Sequence, residues 1–259
     1  MKLSIITINL NNAAGLERTM ESVFKQSFKY VEYLILDGGS TDGSKAIIEA
    51  NAKRFSYWVS EKDEGVYHAM NKGIAKAKGE YLLFLNSGDY LVDNEILLEV
   101  SDSLDGTEIV YGNVLLIENE TKKWTGIYPD RLSFQYFRDG SLPHPCSFIK
   151  SSLFAKVGCY DETICITADW KFFLDAICRN NATYKHIDKV ISVFFHDGMS
   201  SITASKEKMK EEKLLVLQKD YSAFLEDSVE LTKLRTFKNN KTITRFTKVA
   251  RRLGLLKDS

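Results

Sequence analysis

Three prolines in 259 residues, alongside 15 glycines, exclude a collagenous chain and a proline-rich disordered one. The four cysteines, Cys146, Cys159, Cys165 and Cys178, contain no C-x-x-C pair. That argues against a zinc site and leaves reduced thiols in a reducing compartment as the expectation. No run approaches the roughly 20 apolar residues that cross a bilayer. The first apolar run is broken by Asn9, Asn11 and Asn12 and no small-residue cleavage site follows, so no secretory leader is read. The expected location is cytoplasmic, or peripheral to the inner face of the cytoplasmic membrane. Phosphate loops are missing too: neither G-x-x-x-x-G-K-[ST] nor G-x-G-x-x-G occurs. Net charge is the last absence, with 35 basic residues against 35 acidic.

That balance hides an asymmetry. Nine of the basic residues lie between Lys233 and Lys257 with no acid among them, so residues 1–232 carry 26 bases against 34 acids. An acidic body with a basic tail points to an anionic partner for the tail. Along the tail, Ile243, Phe246, Val249, Ala250, Leu253 and Leu256 recur at helical spacing between basic residues. Such a helix can lie on an anionic membrane or pack on the domain. No aromatic platform accompanies the charge, so nucleic acid is not an expected partner.

The body alternates. Leu3–Leu10, Val31–Leu36, Phe55–Ser60 and Tyr81–Leu85 read as strands, and residues 16–26, 42–54, 66–78 and 95–104 as helices. Ser40 or Thr41 is the expected cap of the second helix. Strand and helix in alternation predict an α/β fold with parallel strands and crossover helices. After residue 104 the pattern changes: 108–117 and 123–128 read as an antiparallel pair, 132–150 as mixed, 168–178 as a helix and 183–195 as a last strand. From residue 205 the chain reads as a charged helical extension. The expected organisation is one domain over 1–204, with a nucleotide-binding half (1–104) and an acceptor-facing half (105–204), then the extension at 205–259.

Ligands of open parallel sheets bind beyond the carboxyl ends of the strands. Asn9 and Asn11, then Asp37, then Asn86 and Asp89 stand at three such ends. Each is also an ordinary turn residue. A carboxylate at Asp37 can accept a hydrogen bond from the imide N–H of a uracil ring. Asp89 is a candidate ligand for Mg²⁺ or Mn²⁺, which take oxygen donors and substrate phosphates. Asp169 suits either a general base or a plain acid at a helix start. His144, between Pro143 and Pro145, is a candidate acceptor-loop residue, and His196 a candidate second metal or phosphate contact.

Several runs, in order, resemble glycosyltransferase family 2. They are Leu3 to Asn11 (LSIITINLN), Ile35 to Gly43 (ILDGGSTDG), Ser60 to Gly73 (SEKDEGVYHAMNKG) and Gly79 to Asp89 (GEYLLFLNSGD), then GCYDE at 158–162, TADW at 167–170 and GMS at 198–200. The resemblance covers residues 3 to about 203. It implies a GT-A fold, a Rossmann-like and mostly parallel sheet flanked by helices, and inverting transfer from a nucleotide sugar. By the same resemblance Thr7, Asn9 and Asp37 line the base pocket. Asp63, Asn71, Lys72 and Gly88 belong with the donor, Asp89 with the metal, Asp169 with catalysis as the base, and Trp170 with the acceptor. UDP is the nucleotide it favours. The implied acceptor is a glycan or lipid-linked oligosaccharide of a bacterial surface polysaccharide such as O-antigen. Family members often carry more aspartate in the metal motif; here Asn86 and Gly88 leave Asp89 its only carboxylate. A sugar nucleotidyltransferase would need a G-x-G-T-R-like loop near the N-terminus, which is absent. A nucleotide-binding scaffold without activity is the remaining alternative.

Overall fold

The computed structural model describes residues 3–118, 122–195 and 203–239. In chain order it places β1 (Leu3–Asn9), α1 (Ala13–Phe24), β2 (Val31–Asp37), α2 (Ser44–Ala50), β3 (Tyr57–Ser60), α3 (Val66–Lys76) and β4 (Tyr81–Phe84). Then come β5 (Tyr90–Leu91), α4 (Ile96–Val100), β6 (Ile109–Ile117), β7 (Lys123–Gly126), α5 (Phe134–Asp139), β8 (Ser147–Lys150) and α6 (Ser151–Val157). The last are α7 (Ala168–Leu174), β9 (Tyr184–Phe195), α8 (Thr203–Asp220) and α9 (Ser222–Asn239).

Among the described residues nine strands form one sheet in the order β3-β2-β1-β4-β8-β6-β9-β5, with β7 on β6. β1 pairs in parallel with β2 and β4, and β2 with β3. β8 then runs antiparallel to both β4 and β6. The expected parallel half is present, and the second half continues the same sheet. β1 is buried along its whole length, which is why its sequence reads as a continuous apolar run rather than an alternation. Ile5, Ile35, Leu83 and Val110 carry the core across the sheet.

Three of the local differences from expectation bear on the site. The cap of α2 is Gly43, not Ser40 or Thr41. Both of those residues are drawn back to the chain after β1: the Ser40 hydroxyl accepts from Asn11 N–H at 2.8 Å, and the Thr41 N–H binds Asn11 Oδ1 at 2.8 Å. The segment read as one helix over 168–178 is α7 followed by a π-helical turn, Asp175–Arg179. The mixed stretch 132–150 resolves into α5, a 3₁₀ turn at His144–Cys146 and β8.

The chain divides into two compact units, 1–213 and 214–259. The division falls within α8. In the second unit α8 and α9 nearly continue each other: Tyr221 N–H still reaches Leu217 O at 3.0 Å and Leu225 N–H reaches Tyr221 O at 2.9 Å. No helix among the described residues is long and apolar enough to cross a membrane. The amphipathic stretch 241–256 lies outside the described residues.

Candidate active site

Strand register assembles the first part of the site. Asn9 and Asp37 are direct partners in the β1–β2 ladder, so their side chains emerge together at the carboxyl end. Asn9 Nδ2 donates to Asp37 Oδ1 at 2.7 Å, and the Ser40 hydroxyl to the same oxygen at 2.5 Å. Asp37 Oδ2 accepts from Ser40 N–H at 3.1 Å and from the Ser60 hydroxyl, at the end of β3, at 2.6 Å. Burial pushes the Asp37 pKa up, but the bonds from Ser40, Ser60 and Asn9 outweigh it and hold the carboxyl below its usual range. A carboxylate offers about four lone-pair sites, and these four donors fill them. An incoming imide N–H must therefore displace a hydroxyl. Asn9 keeps one buried acceptor, its Oδ1, with no hydrogen-bond partner. Since its amide nitrogen faces a carboxylate, flipping the amide would not relieve it.

The turn after β4 lies beside the same strand end. Leu85 N–H reaches Ile6 O, and Ser87 N–H reaches Ile8 O at 3.0 Å, extending the β1 ladder. Thr19, buried on α1, holds the turn: its hydroxyl accepts from Gly88 N–H at 3.0 Å and donates to Asp89 O at 2.6 Å. Gly88 has φ 106°, a left-handed conformation that a side chain would strain. Asp89 is 8% exposed. On the same turn Asn86 Oδ1 is buried without a hydrogen-bond partner. A carboxylate and an orphaned amide oxygen are hard oxygen donors, and Mg²⁺ or Mn²⁺ commonly takes one or two carboxylates with the rest from phosphates and water. The turn therefore fits a divalent ion. Among the described residues no cluster of three or more His, Cys, Asp or Glu is formed. His196 lies outside the described residues.

The remaining donor-side residues are placed unevenly. The Asp63 carboxylate packs over the main chain of Gly38, where a Cβ would come within 2.7 Å of its Oδ2. Thr7 is fully buried, its hydroxyl donating to Leu85 O at 2.7 Å. It ties β1 to the chain after β4. Lys72 is ion-paired with Glu61. The Asn71 side chain bonds the 158–162 segment. It accepts from Tyr160 N–H at 3.0 Å and donates to Tyr160 O at 2.9 Å and Glu162 Oε1 at 2.7 Å.

Asn71 and Tyr67 stand one turn apart on α3, and both reach into the second half. The Tyr67 hydroxyl lies 2.6 Å from Ile166 O and 2.9 Å from Asp169 Oδ1. Asp169 is half-buried in the first turn of α7. Burial, then the Asp169 charge, raises the Tyr67 pKa far above its ordinary value, so Tyr67 stays a donor. Tyr160 is raised in the same way. The Tyr160 hydroxyl meets His144 Nε2 at 2.8 Å, and the His144 ring stacks on Phe84 at 4.8 Å. Burial lowers the His144 pKa, against the Asp169 charge, which raises it. His144 thus sits in a buried aromatic cluster with Phe84, Tyr160 and Phe173. Trp170, expected at the acceptor, is 1% exposed, and its Nε1 donates to Phe137 O at 2.7 Å. It is buried along with Ala168, Phe172, Phe173 and Leu174 of the same helix.

Sequence reading missed Ser40, Ser60, Thr19 and Tyr67 as site residues. Three of them lie in the quoted motifs, so position within a motif was the available signal; Thr19 had none.

Comparison with known proteins matches residues 4–157 to the family described as Glycosyl transferase family 2. An uncharacterised glycosyltransferase of Mycobacterium tuberculosis is 37% identical over 182 residues, 67% of this chain and 68% of the relative. A PGL/p-HBAD biosynthesis glycosyltransferase of Mycobacterium bovis is 29% identical over 215 residues, 80% of this chain and 82% of the relative. Among solved structures, S. aureus TarS 1–349 in complex with UDP-GlcNAc aligns with TM-score 0.66 at 20% identity, over 93% of this chain and 74% of that one. The mannosyltransferase PcManGT from Pyrobaculum calidifontis, in complex with GDP-Man and Mn²⁺, aligns with TM-score 0.58 at 14% identity, over 99% and 81%. The shared architecture is the GT-A fold.

Proposed function

Since the chain belongs to glycosyltransferase family 2, we propose that it moves a sugar from a UDP-sugar to a hydroxyl of a glycan or lipid-linked acceptor, with inversion and with Asp169 as base. One observation carries this reading: Tyr67, on the helix that follows the donor motif, bonds Asp169 Oδ1, the one hydrogen bond this carboxylate receives among the described residues. The acceptor hydroxyl gives its proton to Oδ2. Its oxygen forms a bond to the anomeric carbon while the bond to the β-phosphate breaks, and the nucleoside diphosphate leaves with the electron pair.

Asn9, Asp37, Ser40 and Ser60 hold the base, with a hydroxyl yielding to the imide N–H. Asp63 and Gly88 flank the ribose and diphosphate. Lys72 reaches the diphosphate by exchanging Glu61 for it. Asp89, with the Asn86 amide oxygen, would hold Mn²⁺ or Mg²⁺, which supplies Lewis-acid neutralisation of the departing charge when bound. The UDP-GlcNAc of the TarS neighbour supports a uridine donor. The basic stretch 241–256 is read as a contact with an anionic membrane surface at the cytoplasmic face.

Release of nucleoside diphosphate from UDP-GlcNAc, UDP-glucose, UDP-galactose and GDP-mannose, with Mn²⁺ or with a chelator, tests the reading. A general base contributes about 10²–10⁴ in rate. Asp169→Asn is expected to lose that much while calorimetric donor binding survives. Wild-type turnover in that variant would falsify the assignment.

A further inference from the structure

We propose that Glu212 and Lys213, consecutive residues of α8, are positioning residues for the transfer reaction, fixing segment 165–169 and with it the Asp169 carboxylate. The inference rests on the reading of Asp169 as the base. Both residues lie beyond the stretch matched by the family pattern, residues 4–157. Both lie within the first compact unit.

Glu212 accepts four hydrogen bonds from three successive residues. Cys165 N–H reaches its Oε1 at 3.1 Å. Ile166 N–H, Thr167 N–H and the Thr167 hydroxyl reach its Oε2 at 3.1, 3.1 and 2.9 Å. The N–H groups that precede a helix have no partner within it, and Thr167 gives α7 no side-chain cap. Glu212 supplies what the local sequence lacks, through charge-assisted bonds.

Ile166 is gripped on both sides. Its N–H goes to Glu212, and its carbonyl lies 2.6 Å from the Tyr67 hydroxyl that also bonds Asp169. A shift of this segment would move the tyrosine and the carboxylate together. Lys213 holds the far side of α7: its ammonium donates to Gly140 O at 3.0 Å and lies 4.9 Å from the centre of the Trp170 ring. Burial lowers the Lys213 pKa, opposed by the charges of Asp169 and Asp139. So the helix following the transferase fold reaches back to the base through two adjacent side chains. A displacement of about 1 Å at a reacting group can cost up to about 10²-fold in rate.

The test uses the full chain and whichever of the four nucleotide sugars turns over fastest. Glu212→Gln is expected to lower kcat by about tenfold to 10²-fold with donor KM unchanged, and Lys213→Met to lower it less. In an Asp169→Asn background Glu212→Gln should cost no further turnover, since no base remains to be placed. A role in folding alone predicts the same loss in both backgrounds, and that result overturns the proposal. So does wild-type kcat in Glu212→Gln. If that variant does not fold, Glu212→Asp, which keeps the carboxylate one methylene short, is expected to lose kcat while folding. Wild-type turnover in Asp169→Asn alone would instead remove the base reading beneath the proposal.

Discussion

Asp37 and Asp169 are both carboxylates at the mouth of one fold, and they are held in opposite ways. Asp37 is 2% exposed and receives four hydrogen bonds. Asp169 is half-buried and receives one among the described residues, from Tyr67. The support around Asp169 is applied to its neighbours instead, at Ile166 and Thr167. A group that recognises a ligand gains from being fixed and kept ionised. A group that takes up a proton needs a free lone pair and a rigid setting. The same side chain serves either end when the bonds are moved from the carboxylate to the backbone around it.

Alanine at each position should separate the two most sharply. Asp37→Ala leaves the buried Asn9 amide and the half-buried Ser40 and Ser60 donors without their acceptor and is expected to destabilise by about 3 kcal/mol, with nucleotide binding lost. Asp169→Ala is expected to cost under about 1 kcal/mol while removing turnover. Urea melts and calorimetry on both variants check this; equal destabilisation would erase the contrast. Next in size, Tyr67→Phe removes the bond to Asp169 and should lower kcat about tenfold at a cost of about 1 kcal/mol, read as a split between kcat and donor KM. Trp170→Phe tests the inward placement of that ring. It should lower stability by about 1–2 kcal/mol and leave the acceptor KM alone; a raised KM would return Trp170 to the acceptor site.

The smallest effect is the pH dependence of Asp37. Its folded pKa lies below the unfolded value, near 3.9, so its bonds stabilise fully above that value. They are lost as pH falls through the folded pKa. Denaturation from pH 7 to pH 3 should show wild type losing its advantage over Asp37→Asn in the acid limb. A constant difference would mean the four bonds do not favour the charged form.

Much of the first half was legible because its signals are local. Apolar runs ended by Asn, Asp and Gly gave the strands, and the carboxyl ends of those strands gave Asn9, Asp37 and Asp89. For Asn71 and Trp170 the motif said that each residue matters, not which way its side chain points. Asn71 faces the Tyr160 backbone and Trp170 faces Phe137. Glu212 carried no signal, being one acid among many on a charged helix.

By itself, then, the sequence determined the alternation of strands and helices, the membership of the family and the polar residues at the strand ends. The first and last of these follow from periodicity and turn chemistry within about ten residues; the family follows from the order of its motifs along the chain. The tertiary structure alone decided the pairing of Asn9 with Asp37, 28 positions apart, the meeting of Tyr67 with Asp169, 102 apart, and the grip of Glu212 on residues 165–167. Those depend on strand register and on how helices pack across the sheet, where contact is set by burying shared surface rather than by spacing along the chain.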